Sequence, residues 1–234
     1  LWFVSTRSLR TPGQSTVRVV VTSTEGKNER WLEIAGDYHC NQSCRFCFVS
    51  THLPGVDDAR IEAAIRAATE GDRKVTLSGG EPTLHPRLSD FIRLAKSRSR
   101  HGVLLQTNAI RMGERPGYAA ALRDAGLDEV AFSIQGPDAL THDRFCRSEG
   151  AFVLLGRAIE NARAAGLFLE GDVLLYRSTT ALLPRTVAHF FGQGISRFRV
   201  WRMAPPEGDA EALAEEPRLD AAGAAIEATL ALGL

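Results

Sequence analysis

Apolar and polar residues follow two kinds of pattern along this chain, and together these patterns predict a repeating order of strands and helices. Short runs rich in β-branched and aromatic residues predict strands. These runs are residues 17–21, 32–35, 75–78, 103–107, 129–135, 168–176 and 197–203. Elsewhere, apolar residues recur three, four or seven positions apart, which predicts amphipathic helices. The helical positions are Leu88, Phe91, Ile92 and Ala95, then Phe152, Leu155, Ile159 and Ala162, and last Leu219, Ile226 and Leu230.

Strands that alternate with helices are typical of parallel βαβ units. The six strands after residue 30 predict an α/β fold, namely a partial (β/α)6 barrel with parallel strands and outer helices. Six units are too few for a closed barrel of eight. We expect residues 1–30 to form a short N-terminal arm and strand, and residues 31–234 to form one core domain. In such folds the loops after the carboxyl ends of the strands hold the chemistry.

Composition narrows the classes of partner. The chain carries 28 Lys plus Arg against 28 Asp plus Glu, so no net charge favours nucleic acid or an anionic membrane as partner. No apolar run approaches the roughly 18 residues of a membrane-spanning helix, and no signal peptide is evident. Four cysteines are too few for a disulfide scaffold and suit the reducing cytoplasm, where we expect the protein to act. Because the sequence begins at Leu1 rather than Met, we expect a piece of a longer protein.

Three of the four cysteines lie within eight residues, at Cys40, Cys44 and Cys47. Thiols that merely pack in a core are one interpretation, but the polar residues between them argue against it. A zinc site is the second, with His39 as the fourth ligand, although adjacent His39 and Cys40 would converge poorly on one ion. An iron–sulfur cluster is the third. Three thiolates on a four-iron cluster leave one iron open to another ligand.

A second motif, Gly79-Gly80-Glu81-Pro82-Thr83, follows the strand predicted at residues 75–78. Glycines at a strand end allow the backbone to approach a ligand closely, and Glu81 adds an acceptor for a cation or an amine. Gly and Pro also punctuate ordinary turns. The motif therefore gains weight from the cysteines, which follow the preceding predicted strand and should lie at the same edge of the sheet.

The motifs CxxxCxFC and GGEPT, in this order and at adjacent strand ends, resemble the two leading signatures of the radical S-adenosylmethionine superfamily. The similarity continues in Gln106-Thr107-Asn108, in Ser133-Ile134-Gln135-Gly136 and in His142-Asp143, and covers roughly residues 31–206. The sequence looks closest to the branch that contains the molybdenum-cofactor cyclase and the peptide-modifying maturases. The family relation rests mainly on the cysteine spacing, because the later matches are individually weak.

The resemblance implies an iron–sulfur enzyme with two cofactors, a [4Fe–4S] cluster and S-adenosylmethionine. Cys40, Cys44 and Cys47 would bind three of the four irons of the cluster. The methionine part of S-adenosylmethionine would bind the fourth iron. The implied cofactor-binding residues are Phe46 beside the adenine, Gly79, Gly80 and Glu81 at the methionine amino group, and Thr107, Asn108, Ser133 and Gln135 along the ribose and carboxylate. An electron donor such as flavodoxin or ferredoxin would drive cleavage to a 5′-deoxyadenosyl radical, which takes hydrogen from a small-molecule or peptide substrate.

Two other functions stay open at this point. One is an activating enzyme that installs a glycyl radical on a partner protein, and the other is a zinc-binding structural or interaction module. We interpret Cys146 as a structural cysteine and Asp143 as a cap for the helix that contains Phe152. Arg177 follows one predicted strand and Arg202 lies at the end of another, so each either faces the mouth of the site or lies on the surface.

Overall fold

A computed structural model describes residues 18–21, 31–37, 39–45, 47, 56–70, 74–203 and 209–234, with the backbone alone in the first two ranges. The strands are β1 (Arg18–Val21), β2 (Trp31–Asp37), β3 (Lys74–Gly79), β4 (Val103–Thr107), β5 (Glu129–Ile134), β6 (Phe168–Leu175) and β7 (Arg197–Arg202). They form one sheet in the order β1-β7-β6-β5-β4-β3-β2, and every pairing is parallel.

The helices are α1 (Asp58–Glu70), α2 (Leu88–Arg98), α3 (Ile110–Glu114), α4 (Tyr118–Asp124), α5 (Ala139–Cys146), α6 (Ala151–Ala164), α7 (Leu183–Gly192), α8 (Ala210–Ala214) and α9 (Leu219–Leu230). Short 3-10 helices cover Pro82–Leu84 and Thr180–Leu182. Among the helices of the described ranges, none combines the length and the apolar character that crossing a bilayer requires.

The order of β2 to β7 confirms the predicted α/β partial barrel, since consecutive strands are neighbours in the sheet. The predicted strand at residues 103–107 has the observed bounds, and the others differ by one or two residues at an end. β1 adds a seventh strand beside β7, at the edge opposite β2. The division at residue 30 stays a prediction.

The two faces of the sheet differ in chemistry because successive side chains of a strand point to opposite sides. One face, with residues such as Val75, Val130 and Phe132, belongs to the main apolar core together with helix residues such as Ile65 and Ile92. Each of these five side chains is buried, and burying one such chain contributes about 1.5–3 kcal/mol. This apolar layer fixes the register of the strands and therefore aligns their carboxyl ends.

The opposite face, here called the inner face, carries charged residues from β3, β5, β6 and β7. Arg199 forms a bidentate pair with Asp172, with Nε–Oδ1 and Nη2–Oδ2 distances of 2.6 and 2.7 Å. The Trp201 indole N–H donates to the same carboxylate at 3.2 Å. Nearer the amino ends of the strands, a second group pairs by ion contacts: Lys74, Glu129, Glu170 and Arg197. The inner face thus offers polar groups rather than a sealed apolar core.

Helix α6 packs closely against α3. A Cβ atom placed on Gly113 would overlap the backbone carbonyl oxygen of Leu154, so this approach depends on glycine. The Asn161 side-chain amide donates to the Met112 carbonyl at 2.9 Å. Asp143, within α5, accepts from the N–H groups of Gly150 and Phe152 at 2.8 Å each, which confirms its predicted capping role at the start of α6.

Arginines at the strand ends hold the segment between α8 and α9. Arg177 Nε donates to the Glu216 carbonyl at 3.0 Å, and Arg202 Nη1 lies 2.6 Å from the Glu216 carboxylate. Arg45, in the cysteine loop, contacts Glu211 of α8, with an Nε–Oε1 distance of 2.8 Å. Arg177 and Arg202 therefore bind this segment of the protein.

Candidate active site

The candidate site lies at the carboxyl ends of β2 to β5, where the structure brings most of the predicted residues to one edge of the sheet. The cysteine loop follows β2, and Gly79 ends β3 with a φ of 133°. A φ in this region is one that glycine adopts without strain. Thr107 ends β4, and Ser133 lies near the end of β5. Phe46 lies outside the described residues.

Glu81 is the centre of the hydrogen bonds in this region. Its Oε1 accepts from the Thr83 N–H at 3.0 Å, from the Thr83 hydroxyl at 2.6 Å and from the Thr107 hydroxyl at 2.7 Å. Its Oε2 accepts from the Asn108 N–H at 2.7 Å. The carboxyl group therefore caps the 3-10 helix that begins at Pro82 and joins the end of β3 to the end of β4.

The environment of Glu81 opposes ionisation even though the donors favour it. The residue is 1% exposed, and burial raises the pKa of its carboxyl group, against the lowering effect of the hydrogen bonds from Thr83, Asn108 and Thr107. Its backbone N–H donates to the His39 carbonyl at 2.7 Å. Glu81 thus links three segments: the cysteine loop, the Gly-Gly-Glu turn and the end of β4.

The sulfur of Cys40 accepts two hydrogen bonds. The donors are the Gln42 N–H at 3.4 Å and Asn108 Nδ2 at 3.7 Å. Asn108 Nδ2 also donates to Asn41 Oδ1 at 2.8 Å, so β4 and the cysteine loop are in contact, as their shared edge predicts. Burial raises the pKa of the Cys40 thiol.

Cys44 has two neighbours that the sequence does not mark as site residues. Cys44 packs against the apolar cluster that contains the buried thiol of Cys146. The interaction with Cys146 lowers the pKa of the Cys44 thiol, and the nearby charge of Arg147 lowers the same pKa. Arg147 is exposed and has a φ of 49°. The buried ring of Tyr176 completes this side and stacks on Phe145 at 4.1 Å between centroids. A left-handed conformation at a residue other than glycine cannot be read from sequence, so the place of Arg147 could not be predicted. Cys146 was interpreted from sequence as a structural cysteine, because no ligand motif surrounds it.

Ser133 and Gln135 continue the edge at β5. Ser133 is half-buried, whereas Gln135 is 9% exposed. The Gln135 backbone N–H donates to His142 Nδ1 at 3.2 Å, and burial lowers the pKa of His142 to about 4, so its ring is neutral. The side-chain Oε1 of Gln135 is buried and has no hydrogen-bond partner within the described part of the chain. Such a group is typical of a place where a ligand completes the hydrogen bonding.

The donor set fits an iron–sulfur cluster. Cys40, Cys44 and Cys47 are free thiols that are partly or fully exposed, and the N–H donors around Cys40 are the contacts that stabilise thiolate ligands. Across residues 18–21, 31–37, 39–45, 47, 56–70, 74–203 and 209–234, no group of three or more His, Cys, Asp and Glu is arranged to hold a single ion. A cubane cluster takes one thiolate per iron, so its ligands need not meet at one ion.

Comparison with protein families gives a match to the radical SAM superfamily over residues 38–177. The chain belongs to this superfamily. Its members use a [4Fe–4S] cluster and S-adenosylmethionine, as the resemblance implied, and the chain is therefore an S-adenosylmethionine-dependent enzyme. The match argues against the zinc-binding module that the sequence had left open.

Two curated relatives show where this radical SAM chain stands in the family. A probable GTP 3′,8-cyclase of Methanopyrus kandleri is 32% identical over 167 residues, which cover 69% of this chain and 53% of that protein. An AdoMet-dependent heme synthase of Oleidesulfovibrio alaskensis is 31% identical over 143 residues, covering 59% of this chain and 36% of that protein. The chain thus spans about half, or less, of the length of these relatives.

The fold has a solved counterpart in SuiB of Streptococcus suis. That structure superimposes with a TM-score of 0.70 at 15% identity and covers 87% of this chain and 47% of SuiB. SuiB has also been solved bound to S-adenosylmethionine, with a TM-score of 0.63 at 16% identity over 77% of this chain and 40% of SuiB. At such low identity the likeness shows the fold, in agreement with the predicted partial barrel.

Proposed function

We propose that this chain holds a [4Fe–4S] cluster on Cys40, Cys44 and Cys47 and takes hydrogen from a small-molecule or peptide substrate. The chemistry that the cluster supplies when bound is the one-electron cleavage of S-adenosylmethionine to methionine and a 5′-deoxyadenosyl radical. The observation that carries the proposal is the contact of Cys40 with Asn108, since it joins the cysteine loop to the strand end that Glu81 also binds. A cluster ligand and the predicted cofactor residues therefore share one site.

The cofactor-binding roles divide between direct and indirect contacts. Glu81 has three donors on Oε1 but one on Oε2, so Oε2 retains the capacity to accept from the methionine amino group. Gly79 and Gly80, both partly exposed, leave room for that group beside the backbone. The Thr107 hydroxyl donates to Glu81 Oε1 at 2.7 Å, so Thr107 acts by positioning Glu81.

The ribose and carboxylate side of the cofactor is assigned to Asn108, Ser133 and Gln135. Asn108 accepts from the Ile110 N–H at 3.1 Å through its Oδ1, which fixes the orientation of its amide. Gln135 supplies the buried Oε1 that has no partner among the described residues; a ribose hydroxyl is a donor of the kind it needs. Phe46 is assigned to the adenine, as the resemblance implies.

The substrate is proposed as a polar small molecule or a peptide. The inner face presents Asp172, Arg199 and Trp201 in one hydrogen-bonded group, which suits a ligand with polar atoms. The named activities of the relatives, a GTP cyclase and a heme synthase, and a SuiB structure bound to its precursor peptide include both substrate classes. We place the reaction in the cytoplasm, with flavodoxin or ferredoxin as electron donor.

The decisive test is anaerobic reconstitution with iron and sulfide, followed by dithionite and S-adenosylmethionine. We expect close to four irons per chain, iron–thiolate absorbance and the formation of 5′-deoxyadenosine. Cys44→Ala should lose all three, whereas Ser43→Ala, an exposed change in the same loop, should keep them. A colourless wild-type protein that retains one zinc ion and forms no 5′-deoxyadenosine would overturn the proposal.

A further inference from the structure

Asp172 and Arg199 form an ion pair on the inner face, and their place in the sheet puts them beside a residue assigned to the cofactor. Asp172 is the register partner of Ser133 on β5 and of Arg199 on β7, so the three side chains share one row of the inner face. Adjacent strands are about 4.8 Å apart. A substrate that reacts beside Ser133 therefore lies within reach of this pair.

The contacts of Arg199 hold its guanidinium in one orientation and leave one nitrogen for a ligand. Its Nε and Nη2 donate to the two oxygens of Asp172 at 2.6 and 2.7 Å, and Asp172 Oδ1 also accepts from the Trp201 indole at 3.2 Å. The Arg199 side chain is 11% exposed, and its Nη1 has no hydrogen-bond partner in the part of the chain that the structure describes. A guanidinium fixed in this way loses little conformational entropy when a ligand accepts from Nη1.

The formal charges of the inner face cancel between β3 and β7. The cations and carboxylates of this part of the face pair with one another: Lys74, Arg197 and Arg199 with Glu129, Glu170 and Asp172. Burial raises the pKa of Glu170, against the lowering effect of Arg197 and Arg199, and protonation of Glu170 would leave one surplus positive charge. A triphosphate carries several negative charges, so this face cannot compensate the cost of removing it from water.

We propose that Arg199 binds the substrate by donating through Nη1 to an uncharged acceptor, such as an amide carbonyl, and that Asp172 makes the inner face reject phosphate groups. This inference rests on the proposed function and narrows its substrate class. An arginine without a carboxylate partner favours phosphate or carboxylate ligands, which match its charge and its shape. Asp172 removes that preference by neutralising Arg199, whereas the fixed N–H group still suits a carbonyl oxygen.

The first test is calorimetric titration of the anaerobically reconstituted chain with GTP and with inorganic triphosphate, in the presence of S-adenosylmethionine. The wild type should bind neither at millimolar concentration. Asp172→Asn removes the negative charge but keeps the shape, so it should bind triphosphate at least about tenfold more tightly than the wild type. Asp172→Asn combined with Arg199→Met should lose that gain. Glu160→Gln removes one negative charge on the exposed face of α6, so it is the matched control and should behave as the wild type.

The second test is a pair of soaks of wild-type crystals, one in acetamide and one in acetate, which have similar shapes and different charges. We expect an acetamide oxygen within hydrogen-bonding distance of Arg199 Nη1 and no acetate at that place. In crystals of Arg199→Met the acetamide should be absent, because its donor has been removed.

Four results would each overturn the inference and leave the proposed function standing: wild-type binding of GTP or triphosphate, unchanged affinity in Asp172→Asn, acetate at Arg199, or no acetamide there. If circular dichroism shows that Asp172→Asn does not fold, the wild-type titration and soaks still decide between the two charge classes. A wild-type chain that forms no iron–sulfur cluster would overturn the proposed function instead, because the cysteine loop that binds the cluster does not include Asp172 or Arg199.

Discussion

Replacing Glu81 by alanine tests the claim that one buried carboxyl group joins the strand ends at the site. The change removes the acceptor for four hydrogen bonds. The two threonine hydroxyls can rotate toward other acceptors, but the N–H groups of Thr83 and Asn108 are fixed in the backbone. A buried donor without a partner costs about 1–3 kcal/mol. Two such donors predict that Glu81→Ala lowers the free energy of unfolding by about 2–6 kcal/mol.

Urea denaturation of the metal-free chain, followed by circular dichroism, measures this loss. Glu81→Gln keeps one acceptor oxygen and should fall between the wild type and Glu81→Ala. Glu160→Ala, on the exposed face of α6, is the matched control and should change stability by no more than about 0.5 kcal/mol. If Glu81→Ala unfolds at the same urea concentration as the control, the carboxyl group does not hold the strand ends together.

The pH dependence of the same variants gives a second readout. Because burial raises the pKa of Glu81 above its usual 4.5, the folded chain keeps this proton to a higher pH than the unfolded chain. The stability from Glu81 is therefore fully present below the unfolded pKa and is lost as pH rises through the folded pKa. Glu81→Gln cannot titrate, so it should lack this part of the slope. A wild type and variant with parallel pH profiles would show that the pKa is not raised.

Three further changes test other parts of the structure by urea denaturation. The pKa of His142 is lowered to about 4 from 6.5, so stability should fall by up to about 3 kcal/mol as pH falls from 6.5 to 4; His142→Gln should remove that loss, and an unchanged profile would contradict it. Asp172→Asn and Arg199→Met should each cost about 3–5 kcal/mol, and the double variant should cost less than their sum; strict additivity would show that the pair is not coupled. Gly113→Ala should destabilise by roughly 1–3 kcal/mol, whereas Gly156→Ala, with open space around its Cβ position, should not; equal effects would argue against close packing of α3 on α6.

The strands could be predicted from sequence because their signal is local. In β4 and β5, Leu105, Val130 and Phe132 belong to the core face, and such buried apolar runs mark a strand wherever it pairs. The position of β1 beside β7 could not be predicted in this way. A strand of four residues carries no information about which edge it joins, because pairing depends on residues far away in the chain.

In the candidate site too, local patterns could be predicted from sequence, whereas contacts between distant residues could not. The cysteine spacing and the Gly-Gly-Glu turn are local patterns, so both could be read directly. The partners of Glu81 at the end of β4, Thr107 and Asn108, are 26 and 27 positions away. Its role as a link between strand ends is therefore visible only in the structure. Cys146 is interpreted as structural from sequence because nothing near it resembles a ligand motif, and only the packing of α5 brings it to Cys44.

The contact between Arg45 and Glu211 has a consequence for the order of events during synthesis. The two residues are 166 positions apart, and at typical ribosomal speeds of 5–20 residues per second this separation amounts to roughly 8–33 s. The ribosome synthesises the cysteine loop first, so Arg45 has no contact with Glu211 during that interval. The three thiols of the loop are therefore synthesised before α8 can contact Arg45.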